Sequence, residues 1–127
     1  MIIGIGSDLV DVRRIERVIG RHGERFLARI YTTAERAKAE RRANRIETYA
    51  KRFAAKEAFV KALGTGIHAP ANWHGVWVKN LPSGQPVLQF SRELEDLLKQ
   101  KQILQAHVSL SDEGGVAFAT VILECEE

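Results

Sequence analysis

Glu57 and Lys61 lie four residues apart in a 127-residue chain, within Arg52-Phe-Ala-Ala-Lys-Glu-Ala-Phe-Val-Lys61, a run without glycine or proline. At about 100° per residue on a helix, Ile46, Ala50, Phe53 and Val60 fall within about 60° of Glu57. A carboxylate therefore stands near the middle of an apolar stripe, where an unpaired charge is costly to bury. Two partners are open to it: Lys61, one turn on, in a plain surface ion pair, or a metal ion. Arg52 and Lys56 are also one turn apart, on another face. A second carboxylate, Asp8, reads either as a helix N-cap or as a companion of Glu57 on one hard cation. Magnesium takes oxygen ligands, one or two of them carboxylates, with substrate phosphate and water completing the shell. Two carboxylates among several basic residues suit a magnesium–pyrophosphate site. Gly64-Thr65-Gly66, where the run stops, offers exposed amides to a phosphate, though it equally serves as a helix stop.

These residues need elements to hold them. Ile2 to Ser7 is expected to form a short buried strand, its glycines marking close approach by another backbone or a ligand. Val12 to Phe26 is expected to form one or two helices, broken around Gly20 and Gly23. A Thr33-capped helix follows and ends near Asn44. Ile46 to Leu63 is the strongest helix, ended by Gly64. Two strands, Val76 to Lys79 and Val87 to Phe90, flank a Leu-Pro-Ser-Gly turn. Ser91 caps a helix over Arg92 to Lys101. A hairpin closes the chain, Ala106 to Ser111 and Val116 to Glu124, turning through residues 112–115. Helices and hairpins without regular βαβ alternation predict an α+β fold, one compact domain over 1–127, with an antiparallel sheet and a long central helix.

Composition narrows the function classes. Apolar residues make up 45% of the chain, enough for a core, and no run of about 18 apolar residues suggests a membrane span. The single cysteine, Cys125, excludes an internal disulfide framework and a Cys-based zinc site. A soluble, cytoplasmic protein is expected. Net charge is +3, but from Arg13 to Lys56 fourteen Lys/Arg face five Asp/Glu, while the remainder holds five against eleven. Such asymmetry suggests a basic face for an acidic partner. Nucleic acid is the weaker reading, because no exposed aromatics are expected to interleave with those charges and no binding motif is recognisable.

Gly4-Ile-Gly-Ser-Asp-Leu-Val-Asp11, the run from Arg52 to Gly66, and His107-Val-Ser-Leu-Ser-Asp112 together resemble the holo-acyl-carrier-protein synthase group of phosphopantetheinyl transferases, in order and spacing, essentially from Met1 to Glu124. The resemblance implies transfer of 4'-phosphopantetheine from coenzyme A to a serine of an acidic acyl carrier protein. It implies magnesium on Asp8 and Glu57, with Lys61 on the phosphate. Arg52, Lys56, Gly64, Thr65 and Gly66 would line the nucleotide site, approached by His107 and Ser109 from a neighbouring subunit of a homotrimer. Arg14, Arg21, Arg25 and Arg29, with Phe26, would dock the carrier. Glu57, or a water held by Asp8, would take the serine proton. The chain departs from the family at His74, where an acidic residue is common.

Overall fold

In the computed structural model, which describes residues 1–126, the order is β1 (Ile2–Asp11), α1 (Val12–His22), α2 (Glu24–Ile30), α3 (Thr33–Glu40), α4 (Arg45–Leu63), β2 (Val76–Asn80), β3 (Pro86–Phe90), α5 (Arg92–Gln100), β4 (Ile103–Glu113) and β5 (Val116–Cys125). β1, β5 and β4 form a three-stranded antiparallel sheet in that spatial order, and β2 pairs with β3 in a separate antiparallel hairpin. The α+β class, the antiparallel pairing and the long central helix agree with the expectation from sequence.

α4 runs nineteen residues without a breaker and ends where Gly64 turns left-handed at φ 85°, its N–H bonded to the Val60 carbonyl. Ala54, Ala55, Ala58, Phe59 and Val60 are all buried, so the helix is enclosed on several sides. Its small residues let β1 come close. A Cβ on Gly4 would overlap the Ala62 carbonyl, and a Cβ on Gly6 the Ala58 carbonyl. The close approach expected of these glycines is thus made by the backbone of α4. On the face of β5 turned to α4, Ala117, Ala119, Val121 and Leu123 alternate with residues of the opposite face, the period-two pattern of a sheet covered on one side.

Several boundaries differ from the sequence reading. β1 continues through Asp8 to Asp11, and it is Asp11 that caps α1, accepting from the Arg13 N–H at 2.9 Å. Asp8 is therefore a strand residue. Gly20 lies inside α1, and the break comes at Gly23, φ 48°. α3 is capped by Thr32, in a reciprocal capping box with Glu35, one residue before the expected cap. The β4–β5 hairpin is longer at both ends and turns at Gly114-Gly115, both at positive φ.

Candidate functional site

The glycine contact seats α4 against the edge strand β1. Asp8 shares a strand face with Gly6 and Val10, the face turned to α4, because side chains alternate along a strand. There Lys61 Nζ donates to Asp8 Oδ1 at 3.1 Å and to the Ser7 carbonyl at 3.0 Å. The Asp8 side chain is 16% exposed and that of Lys61 54%. Glu57 stands one turn before Lys61 and is half-buried. Its carboxyl lies above its ordinary value: burial is the largest cause and the Asp8 charge adds to it, while Lys61 and Arg14 pull the other way. Lys61 is thus given to Asp8 rather than to its helix neighbour. Two carboxylates and two cations from β1, α4 and α1 converge.

Among the described residues no group of three or more His, Cys, Asp or Glu side chains forms a metal cage. A cation at this site would draw only two protein ligands, both hard oxygens. That donor set fits magnesium, whose remaining positions go to water and phosphate. A Glu57 whose ionised form is disfavoured by a neighbouring carboxylate is also the arrangement that a cation between them would relieve.

The other residues are placed as follows. Arg52 and Lys56 lie between about 100° and 180° around α4 from Glu57 and Lys61 at helical spacing, and within one protomer they reach β2 and α3 rather than Asp8. Lys56 needs a correction. Its ammonium is fully enclosed, 2.7 Å from Glu35 Oε1, and donates to the Trp73 carbonyl at 2.6 Å. Burial pulls its affinity for a proton below the ordinary lysine value, against the pull of Glu35. Glu35 also accepts from the N–H groups of Thr32 and Val78. Lys56 therefore joins α4 to α3 and β2, and cannot line a nucleotide site without the core opening. Arg52 is 2% exposed and donates to Asn80 Oδ1 at 2.8 Å, while its buried Nε has no partner. It borders a cleft of about 350 Å³ with Lys38, Lys79 and Gln89.

Gly64 and Gly66 take positive φ, and the Thr65 hydroxyl donates to the Gly66 carbonyl at 2.9 Å. His107 and Ser109 lie on β4 opposite Ile122 and Thr120. They are on the face of the sheet turned away from α4, two strands from Asp8, so one chain does not bring them to Glu57. His107 Nε2 instead meets Glu124 Oε1 at 2.5 Å. Arg14, Arg21, Arg25 and Arg29 are exposed on α1 and α2, and half-buried Phe26 packs edge-on to Tyr31 at 6.0 Å.

Two residues escaped the sequence reading. Arg17 shares a face with Arg14 and Arg21, a spacing of three and seven residues that is readable on a helix. Glu35 is the buried partner of Lys56, and its signal was the Thr32-x-x-Glu35 box.

Residues 4–121 match the 4'-phosphopantetheinyl transferase superfamily, and the chain belongs to it. Within that superfamily it groups with the holo-[acyl-carrier-protein] synthases. The enzyme of that name from Methylobacterium radiotolerans is 52% identical over 98% of this chain and 94% of its own. The crystal structure of the synthase from Neisseria meningitidis matches with a TM-score of 0.94 at 35% identity, covering 98% of this chain and 99% of that one. The synthase from Bacillus anthracis in complex with CoA (3',5'-ADP) matches at 0.81 and 35%, covering 99% of each.

Proposed function

We propose that this chain is a magnesium-dependent holo-[acyl-carrier-protein] synthase. It moves 4'-phosphopantetheine from coenzyme A to a serine of an apo-acyl carrier protein, releases adenosine 3',5'-bisphosphate and supports fatty acid biosynthesis in the cytoplasm. The observation that carries the reading is the meeting of Asp8, Glu57 and Lys61 across the β1–α4 contact. It is supported by the curated synthases that share about half of this sequence.

Phosphoryl transfer depends mostly on positioning and charge neutralisation. Asp8 and Glu57 would hold the magnesium ion, which would supply positive charge against the pyrophosphate. The carrier serine Oγ attacks the β-phosphorus of coenzyme A, and the bond to the bridging oxygen of the bisphosphate leaving group breaks. Glu57, or a water held by Asp8, takes the serine proton, which a hydroxyl of such high pKa must lose to attack. Lys61 moves its charge from Asp8 onto the departing phosphate. Beyond Lys61, Gly64 and Thr65 donate their N–H groups to the Val60 carbonyl and close the helix, which leaves the Gly66 N–H as the amide of this turn for a nucleotide phosphate.

The active unit is a homotrimer with a site at each subunit interface. Supporting this, the sheet face turned away from α4 presents Ile5 and Leu9 at 68% and 66% exposure, with Phe118 beside them. An apolar patch of this kind marks an association surface. His107 and Ser109 lie on the same face, where a neighbouring copy brings them to the nucleotide. The exposed arginines of α1 and α2 receive the acidic carrier.

The direct test is mass spectrometry of apo-carrier incubated with the protein, coenzyme A and magnesium. The carrier is expected to gain one phosphopantetheine, and to gain none when EDTA is present. A carrier left unmodified, although a known synthase modifies it, would overturn the reading. Full turnover in EDTA would remove the metal from it.

A further inference from the structure

His74 stands in the segment between α4 and β2, and its Nε2 lies 2.8 Å from the Ala28 carbonyl oxygen of α2. A carbonyl only accepts, so Nε2 carries the proton and donates. α2 has seven residues, far below the length at which a helix stands alone. Apart from burying Leu27 and Ile30 and packing Phe26 on Tyr31, it is tied to the fold, among the described residues, by two side-chain polar contacts. One is the His74 bond, and the other is the Glu24–Arg36 ion pair at 2.5 Å.

The segment that carries His74 is fixed to α4. The Trp73 carbonyl accepts from Lys56 Nζ at 2.6 Å, and the Trp73 ring stacks on Phe53 with centroids 5.2 Å apart. A continuous run of contacts thus leads from Lys56, the residue before Glu57, through Trp73 and His74 to the helix bearing Arg25 and Arg29. An acidic residue at position 74 has no proton to give a carbonyl at neutral pH and repels it.

We propose that His74 is a positioning residue that fixes α2, and with it Arg25 and Arg29, relative to the Asp8–Glu57–Lys61 site, and so sets affinity for the carrier protein. The inference rests on the proposal that α2 receives the carrier.

The test measures KM for carrier and for coenzyme A separately in His74→Ala, His74→Gln and His74→Glu, with an Arg25→Glu/Arg29→Glu double variant alongside. His74 is exposed, so these proteins are expected to melt near the parent. One hydrogen bond at an exposed site corresponds to roughly a two- to tenfold effect. His74→Ala and His74→Glu raise the carrier KM by that factor and leave kcat and the coenzyme A KM unchanged. His74→Gln, whose amide N–H also donates, restores the parent value. An unchanged carrier KM in His74→Ala, equal rises in both KM values, or no recovery in His74→Gln would overturn the role of His74. If the double arginine variant raises the carrier KM while His74→Ala does not, positioning fails and docking stands. If the arginine variant has no effect, docking by α2 fails, and the inference falls with it.

Discussion

The Glu57 carboxyl lies above its ordinary value because burial and the Asp8 charge both disfavour its ionised form. A carboxyl raised in the folded state leaves stability intact at pH below its unfolded value and removes it as pH climbs through the folded value. Glu57→Gln is therefore expected to melt higher than the parent at pH 8 without divalent ions, and level with it at pH 3. Calorimetry at the two pH values checks this, and a variant that melts lower at pH 8 would remove the account of Glu57. The same variant is expected to lose at least about a hundredfold in kcat/KM if Glu57 is the proton acceptor. Lys56 is a different case, although it is the next residue. Lys56→Met leaves Glu35 charged and buried without its cation, at a cost of about 3–5 kcal/mol, whereas Lys56→Met/Glu35→Gln, which removes the charge and keeps an acceptor for the Thr32 and Val78 N–H groups, is expected to recover part of it. Urea denaturation of both variants distinguishes these outcomes. Equal losses would mean that the pair does not act as a unit. Neither partner of Lys56 or Lys61 was legible from helical spacing. Lys61 turns to Asp8 and Lys56 to Glu35, both on other elements, while four-residue spacing on α4 offers Glu57 to Lys61 and only Arg52 and Val60 to Lys56.

At the scale of elements, β1 and α4 touch through glycine, and the site depends on that contact. Gly6→Ala forces a Cβ into the Ala58 carbonyl, a form of overpacking that costs about 1–3 kcal/mol. Because the strand must shift, Asp8 leaves Lys61. The variant is expected to lose activity well beyond its loss of stability at 25 °C, where it remains folded. Turnover assays beside denaturation curves check this, and parental kcat in Gly6→Ala would mean that the contact does not position the site. α4 was readable almost to the residue, since an unbroken run ended by a glycine has one local interpretation. The extent of β1 was not. Asp8 looked like the end of a strand because a carboxylate on a covered face is unfavourable unless a cation meets it, and that cation comes from α4. The cap of α3 was read one residue late, since Thr32 and Thr33 are adjacent and only the reach of Glu35 back to Thr32 decides between them.

For the whole molecule, the sheet is the decisive feature. One side rests on α4, and the other carries Ile5, Leu9 and Phe118 in the open. Leu9→Glu places a charge at the centre of that surface. The parent is expected to sediment as a trimer and the variant as a folded, inactive monomer, because His107 and Ser109 no longer reach a neighbouring nucleotide. A fully active monomer would refute shared sites. The charge asymmetry read from the sequence is realised on the exposed arginines of α1 and α2. Their distribution was legible because it needs no tertiary contact, and the exposed apolar face was not, because alternating residues in β1 and β5 read as an ordinary sheet.

β1 pairs along its length with β5, Ile2 opposite Glu124 and Asp11 opposite Val116. During synthesis β1 leaves the ribosome well before β5, its mate. The unpaired backbone groups of β1 wait through the synthesis of everything between, open to chaperones and to other nascent chains. Asp8 therefore gains a rigid support late. Premature termination within β5 would yield a sticky polypeptide rather than a weakened enzyme.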